Sequence, residues 1–322
     1  MTFVETVVSD ALHALISGHT RALIWELTTE TLEIMDHLAR AGFRHAIVGI
    51  VVPDAYSGPR PFDLALVPEK DVATVDFDLL IVATDEAKED ALRRYVAVDN
   101  RLPTVIARGN AHYAFRDPLY ERVVQSLPVK SKAGGYPNML VHIFQCLRSV
   151  ALRRLEGAVV ELGVLHGGTT VFMARALEQL DYPLRIVGFD TFSGFPSRRS
   201  ALDLFADRSY AIADYEVVRA YCAPYPIELV QGDIATVAAA ALRDRPLVFT
   251  FVDTDNYSAV RSVLPQIWEQ TVVGGFVAFD HFFSPSWDLT VGERMAADEI
   301  LGDRPDAFNL HGSGIFTKLP CG

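Results

Sequence analysis

Short apolar runs alternate along this chain with longer stretches in which apolar residues recur every three or four positions. The runs have the length of strands and the periodic stretches the length of helices. Strands that alternate with helices predict parallel sheets with helices on their faces. The pattern occurs twice. In the first half, strands are predicted at 21–27, 45–52, 77–84 and 104–107, and helices at 31–41 and 86–96. The apolar face of the first of these helices holds Leu32, Ile34, Met35 and Leu38. Residues 53–61, punctuated by Pro, Gly and Ser, read as a loop.

Residues 127–137 contain two prolines and two glycines and read as a linker. Asn138 then caps a helix that carries Leu140, Ile143, Leu147 and Val150 on one face. Beyond it, strands are predicted at 158–162, 184–189, 227–230, 247–252, 275–279 and 314–318, with helices between the first five and another at 292–300. The expected fold class is α/β throughout. A smaller Rossmann-like accessory domain spans 1–126. A larger Rossmann-like domain spans 138–322, its sheet mostly parallel with a terminal antiparallel strand.

Composition narrows the function. With 322 residues, half of them hydrophobic, the chain is long enough for two domains with cores of their own. A formal net charge of −12 argues against a general nucleic-acid binder, which needs a basic face. Cys146, Cys222 and Cys321 are far apart, so neither a disulfide framework nor a structural zinc site is expected. Met1-Thr2-Phe3-Val4-Glu5 has no basic or apolar leader character, and no apolar run reaches the ~18 residues of a membrane span. A cytoplasmic homo-oligomer with no membrane partner is expected.

The candidate chemistry sits where open parallel sheets bind ligands, just beyond the strand ends. After 158–162 comes a glycine turn, Gly163-Val164-Leu165-His166-Gly167-Gly168-Thr169; Asp190-Thr191-Phe192 follows the second strand, Gly232-Asp233-Ile234 the third, Asp253-Thr254-Asp255 the fourth and Asp280-His281 the fifth. Glycines admit a ligand close to the backbone. Glu161-x-Gly163-x-x-x-Gly167-Gly168 is not the dinucleotide fingerprint. Asp190 stands at the distance of a ribose-binding carboxylate. A nucleoside-type ligand without a pyrophosphate is indicated, and S-adenosylmethionine fits. Gly163 and Gly167 would let its methionine part lie along the backbone, with Glu161 or His166 at its charged ends. Asp190 would accept both ribose hydroxyls. Asp233 would accept from the adenine amino group and the Ile234 amide donate to a ring nitrogen. Gly168, Thr169, Thr191, Phe192, Gly232 and Asp253 complete the expected cofactor set.

From about residue 138 the chain resembles the class I S-adenosylmethionine-dependent methyltransferases, and among them the macrocin O-methyltransferase family. The resemblance rests on Glu161 to Thr169, on Asp190-Thr-Phe-Ser-Gly-Phe-Pro196, on Gln231-Gly-Asp233, on Val252-Asp-Thr-Asp-Asn-Tyr-Ser258 and on Gly274-Gly-Phe-Val-Ala-Phe-Asp-His281. It does not reach residues 1–137. It implies methyl transfer to a hydroxyl, or an amine, of a small sugar or natural-product acceptor. It also implies a Mg²⁺ site, whose ligands carried over are Asp253, Asp280 and His281. The histidine departs from the pattern, since Mg²⁺ prefers oxygen donors and imidazole suits other metals.

Three readings of His281 therefore compete: a ligand in a modified metal site, a general base with a reference pKa near 6.5, and a structural residue. Asp253 and Asp280 share the catalytic assignment with it. Asp255 and Tyr257 are expected to orient the acceptor or support a metal, and Trp287 to touch the acceptor. The alternatives to a methyltransferase are an NAD(P)-dependent oxidoreductase and a non-catalytic protein that keeps the fold to bind S-adenosylmethionine.

Overall fold

A computed structural model describes residues 2–99, 101–111, 114–135, 138–205, 210–211, 214–283 and 287–321, with the side chains of Phe62 and 287–290 left aside. The chain divides into two compact units, Met1–Phe115 and Arg116–Gly322. The boundary falls before the expected linker. Helix α4 (Pro118–Gln125) packs on a helix of the second unit, and residues 131–135 hydrogen-bond to that unit's site (below), so this stretch is part of the second fold and not a tether.

The first unit opens with α1 (Phe3–Ile16), which the sequence reading left unassigned although Thr2 and Glu5 form a capping box at its start. There follow β1 (Ala22–Trp25), α2 (Thr29–Arg40), β2 (Ile47–Val52), β3 (Leu66–Pro68), β4 (Leu79–Val82), α3 (Lys88–Val98) and β5 (Thr104–Ala107). The strands form one parallel sheet in the order β3-β2-β1-β4-β5. Every residue of β1 and β4 is buried, as expected for strands covered on both faces. Alternate residues of β1 serve opposite faces: Ala22 and Ile24 pack with α1 and α2, Leu23 and Trp25 with Ala91 and Tyr95 of α3. At the strand ends Glu26 pairs with Arg94, and Asp85 takes Lys88 and the amides of Asn110 and Ala111. These groups satisfy one another beyond the carboxyl ends of the strands.

The second unit runs α4, α5 (Met139–Leu152), β6 (Ala158–Leu162), α6 (Gly168–Gln179), β7 (Ile186–Asp190), α7 (Tyr215–Cys222), β8 (Ile227–Gln231), α8 (Ile234–Ala241), β9 (Leu247–Val252), α9 (Tyr257–Gln270), β10 (Thr271–Phe279), α10 (Trp287–Leu301), β11 (Ala307–Asn309) and β12 (Ile315–Lys318). Its sheet has the order β11-β12-β10-β9-β6-β7-β8. Strands β6 to β10 are parallel, β12 runs antiparallel to β10, and β11 adds an edge that the sequence reading did not contain. The order reverses between β6 and β9, which makes their carboxyl ends the crevice of the fold.

Those two ends touch. Gly163 follows β6 at φ 97°, and a Cβ there would lie 1.8 Å from the carbonyl oxygen of Asp253, which follows β9. Only glycine fits this approach. Gly163→Ala should cost at least about 1–3 kcal/mol from backbone strain alone, read as a lower midpoint in thermal unfolding of the full chain.

Candidate active site

The glycine turn is held by the neighbouring strand. One oxygen of the Asp190 carboxylate, at the end of β7, accepts the amides of Val164 (2.9 Å) and Leu165 (2.8 Å), and the other accepts the amide of Phe192 (2.7 Å). Gly167 takes a left-handed conformation and starts α6. A Cβ on Gly168 would meet the carbonyl of Lys130 at 2.4 Å. The Ser131 and Thr169 hydroxyls lie 2.7 Å apart, which fastens the 131–135 segment to the same turn.

Beneath the turn Glu161 is buried, with the Thr170 hydroxyl donating to it. Burial raises its pKa to about 8, with Asp190 adding to the rise. Its carboxyl supports the turn from behind. Gly167, Gly168 and Thr169 form the end of the turn and the start of α6, Phe192 is buried against Tyr215, and Gly232 donates its amide to the Asp190 carbonyl at 2.9 Å. His166 is exposed beside the turn.

The cleft measures about 880 Å³ with its solvent-open part. Of the expected residues, Gly163, Asp190, Thr191, Asp233, Ile234, Asp253, Asp255 and His281 line it. Asp233 caps α8 through the Ala235 amide and also pairs with Arg199, a partner that sequence reasoning missed. Also missed was buried Asp203, which accepts the amides of Arg199, Ser200 and Ser258 and so ties the wall loop after β7 to the start of α9. Lys132 lines the cleft from a stretch expected to be a linker; its glycine pair was the available signal.

Opposite the Asp190–Asp233 end, acids crowd together. Asp280 is 1% exposed and accepts the amides of Gly134 (3.0 Å) and Gly135 (2.9 Å). His281 Nε2 lies 3.5 Å from Asp280 Oδ2. His281 Nδ1 lies 2.9 Å from Asp255 Oδ1, a charge contact without hydrogen-bond alignment, since both atoms are buried and otherwise unpartnered. Fully buried Glu293, on α10, accepts the amides of Thr254 (2.6 Å), Asp255 (3.1 Å) and His281 (3.0 Å), joining the loops after β9 and β10. Nothing in the sequence marked Glu293, which read as one position of an amphipathic helix.

Burial and the neighbouring carboxylates push the Asp253 carboxyl well above the usual range, raise Asp280, and raise Glu293 to about 8. Burial alone would lower His281; Asp255, Glu293 and Asp280 outweigh it and raise the imidazole to about 9. With no cation bound, the imidazole is therefore biased toward its protonated form. One ligand atom each from Asp253, Asp280 and His281 falls within 4.8 Å of the others, so this donor set fits a divalent cation. Tyr257 donates to Glu299, which occupies its hydroxyl. The Trp287 side chain lies outside the described residues.

Residues 160–282 match a family model described as a methyltransferase domain. Solved structures similar to the chain include the O-methyltransferase NovP (20% identity, TM-score 0.48, 56% of this chain and 79% of that one). They also include the calicheamicin methyltransferase CalS11 (23%, 0.46, 63% and 94%). A third is the O-methyltransferase TomG from Streptomyces achromogenes, solved with S-adenosylmethionine (16%, 0.37, 64% and 92%). No curated protein sequence matches the chain. No helix among the described residues is long and apolar enough to cross a membrane.

Two titrations test the electrostatics of the second unit. In NMR of the EDTA-treated protein, the His281 ring signals should titrate near pH 9, and Asp255→Asn should lower that midpoint. Glu161, with a folded pKa near 8 against an ordinary 4.5, stays protonated in the folded state where the unfolded chain ionises it. Its contribution to stability is therefore lost as pH rises from the unfolded value toward the folded one. Glu161→Gln keeps an acceptor for Thr170, so it should raise the thermal midpoint, and by more at pH 8 than at pH 5.

Proposed function

We propose that this protein transfers the methyl group of S-adenosylmethionine to a hydroxyl of a small sugar or natural-product acceptor. The observation that carries this reading is a single cleft with two chemically different ends, Asp190 and Asp233 at one and the Asp253–Asp255–His281 cluster at the other. Methyl transfer from a sulfonium is an in-line displacement: the acceptor oxygen bonds to carbon as the carbon–sulfur bond breaks, leaving S-adenosylhomocysteine and one proton. The protein's part is to align donor and acceptor and to take that proton.

In this reading the adenosine end of the cofactor lies against Asp190, Thr191, Asp233 and Ile234. Asp190 holds the turn with three amides and keeps an acceptor site on its Phe192-bonded oxygen for a ribose hydroxyl. Gly163, lacking Cβ, admits the reacting end of the cofactor next to Asp253. The hydroxyl's proton passes to the carboxylates of Asp253 or Asp255; with no cation bound, His281 as imidazolium offsets their charge, and with one bound His281 is a neutral ligand. A hydroxyl must lose a proton to finish the transfer, whereas an amine can attack as its free base, so a proton-holding cluster at the reacting end favours oxygen. Asp253, Asp280 and His281 would hold a divalent cation, which when bound lowers the acceptor's pKa and fixes its orientation.

Calorimetry with S-adenosylhomocysteine tests the reading. Wild-type protein should bind it, and Asp190→Ala should weaken binding by at least ~10-fold, as expected for loss of charge-assisted hydrogen bonds. Absence of binding by the wild type would overturn the methyl-transfer reading.

A further inference from the structure

Besides Lys132, which also lines the cleft, the reacting end is acidic, and its converging ligand atoms contain one nitrogen donor in an otherwise oxygen-based set. Asp253, Asp255, Asp280 and Glu293 surround His281, and no hydrogen bond from the described residues reaches the Asp253 carboxylate. We propose that Asp253, Asp280 and His281 form a nitrogen-containing metal site, selecting a divalent ion of the manganese-to-zinc series over magnesium. The inference rests on the methyl-transfer reading for its purpose, but on the donor atoms for its chemistry.

The ligand atoms converge within 4.8 Å, close enough to share one ion. The imidazole faces them with Nε2, the nitrogen beside Asp280, because Nδ1 is turned to Asp255. A carboxylate that accepts from the non-ligating nitrogen orients a metal-binding histidine, and Asp255 Oδ1 stands 2.9 Å from Nδ1, within reach of that bond after a small turn of the ring. Asp255 is thus a positioning residue for His281. The supports behind both loops are already set: Glu293 holds the amides of Thr254, Asp255 and His281, and Gly134 and Gly135 hold Asp280. Gly292, next to Glu293, lets α10 approach closely, since a Cβ there would lie 2.0 Å from the Asp255 carbonyl oxygen.

Such a frame has little freedom to rearrange into the near-ideal octahedron of oxygens and waters that Mg²⁺ demands. Imidazole suits the later first-row ions, for which a mixed nitrogen and carboxylate set binds more tightly.

The test uses EDTA-treated full-length protein saturated with S-adenosylhomocysteine. It is titrated calorimetrically with MgCl₂, MnCl₂ and CoCl₂, then loaded with Mn²⁺ for pulsed electron paramagnetic resonance. Mn²⁺ and Co²⁺ should bind more tightly than Mg²⁺, and Mn²⁺ should show a ¹⁴N coupling. His281→Asp should lose the coupling and narrow the Mn²⁺-to-Mg²⁺ affinity ratio. Should that variant not fold, Asp255→Asn should weaken Mn²⁺ by ~10- to 100-fold while leaving S-adenosylhomocysteine affinity unchanged. Bound Mn²⁺ without ¹⁴N coupling, equal affinity for Mg²⁺, or no metal binding by a protein that still binds S-adenosylhomocysteine would each overturn this inference alone. Metal binding with ¹⁴N coupling but no S-adenosylhomocysteine binding would support the site and overturn the methyl-transfer reading.

Discussion

Four carboxyl groups and one imidazole share a largely buried space beyond the ends of β9 and β10. Charges of one sign repel strongly where water is scarce, and the fold must hold them together against that repulsion. It does so mainly with backbone amides. Asp280 takes two, Glu293 takes three, and Asp190 across the cleft takes three more. An amide offers a fixed partial positive charge without adding a mobile side chain. These acids are therefore held at set positions while remaining available to a ligand.

The same economy explains why the two ends of the cleft differ. At the Asp190–Asp233 end, the acids are satisfied by amides and by Arg199, and the wall is braced by Asp203. That end is suited to neutral hydrogen-bonding partners such as hydroxyl and amino groups. At the other end no donor among the described residues reaches the Asp253 carboxylate and His281 sits between carboxylates, which suits a transferable proton or a cation. The contact of Gly163 with the Asp253 carbonyl brings the two ends within reach of one small molecule.

Much of this was legible before the structure. Strands β5, β6 and β9 fall at the predicted bounds because each is a short apolar run closed by a polar or glycine residue, and Asn138 caps its helix as read. Five strand ends with polar or glycine clusters pointed to a ligand crevice, and the model match over 160–282 agrees with the resemblance drawn from those clusters. The errors have physical causes. Residues 127–137 looked like a linker because proline and glycine mark both tethers and tight approaches, and only the packed fold shows Gly134 and Gly135 donating to Asp280. Helix α1 escaped notice although its capping box was present, and β11 is too short to carry a pattern.

The sequence by itself determined the α/β class, the order of the longer strands and of most helices between them, and which acids lie at strand ends, because these follow from local periodicity and from where a strand must stop. Tertiary structure alone decided what each acid does. Glu161 and Glu293 are both glutamates in apolar surroundings, yet one props the glycine turn and the other ties two loops, depending on which amides and hydroxyls the packed chain brings near. The protonation of His281 is likewise a sum over Asp255, Asp280 and Glu293. Asp280 is its immediate neighbour in sequence, whereas Asp255 and Glu293 come from other elements, and a sum over groups that folding brings together cannot be read from the order of residues.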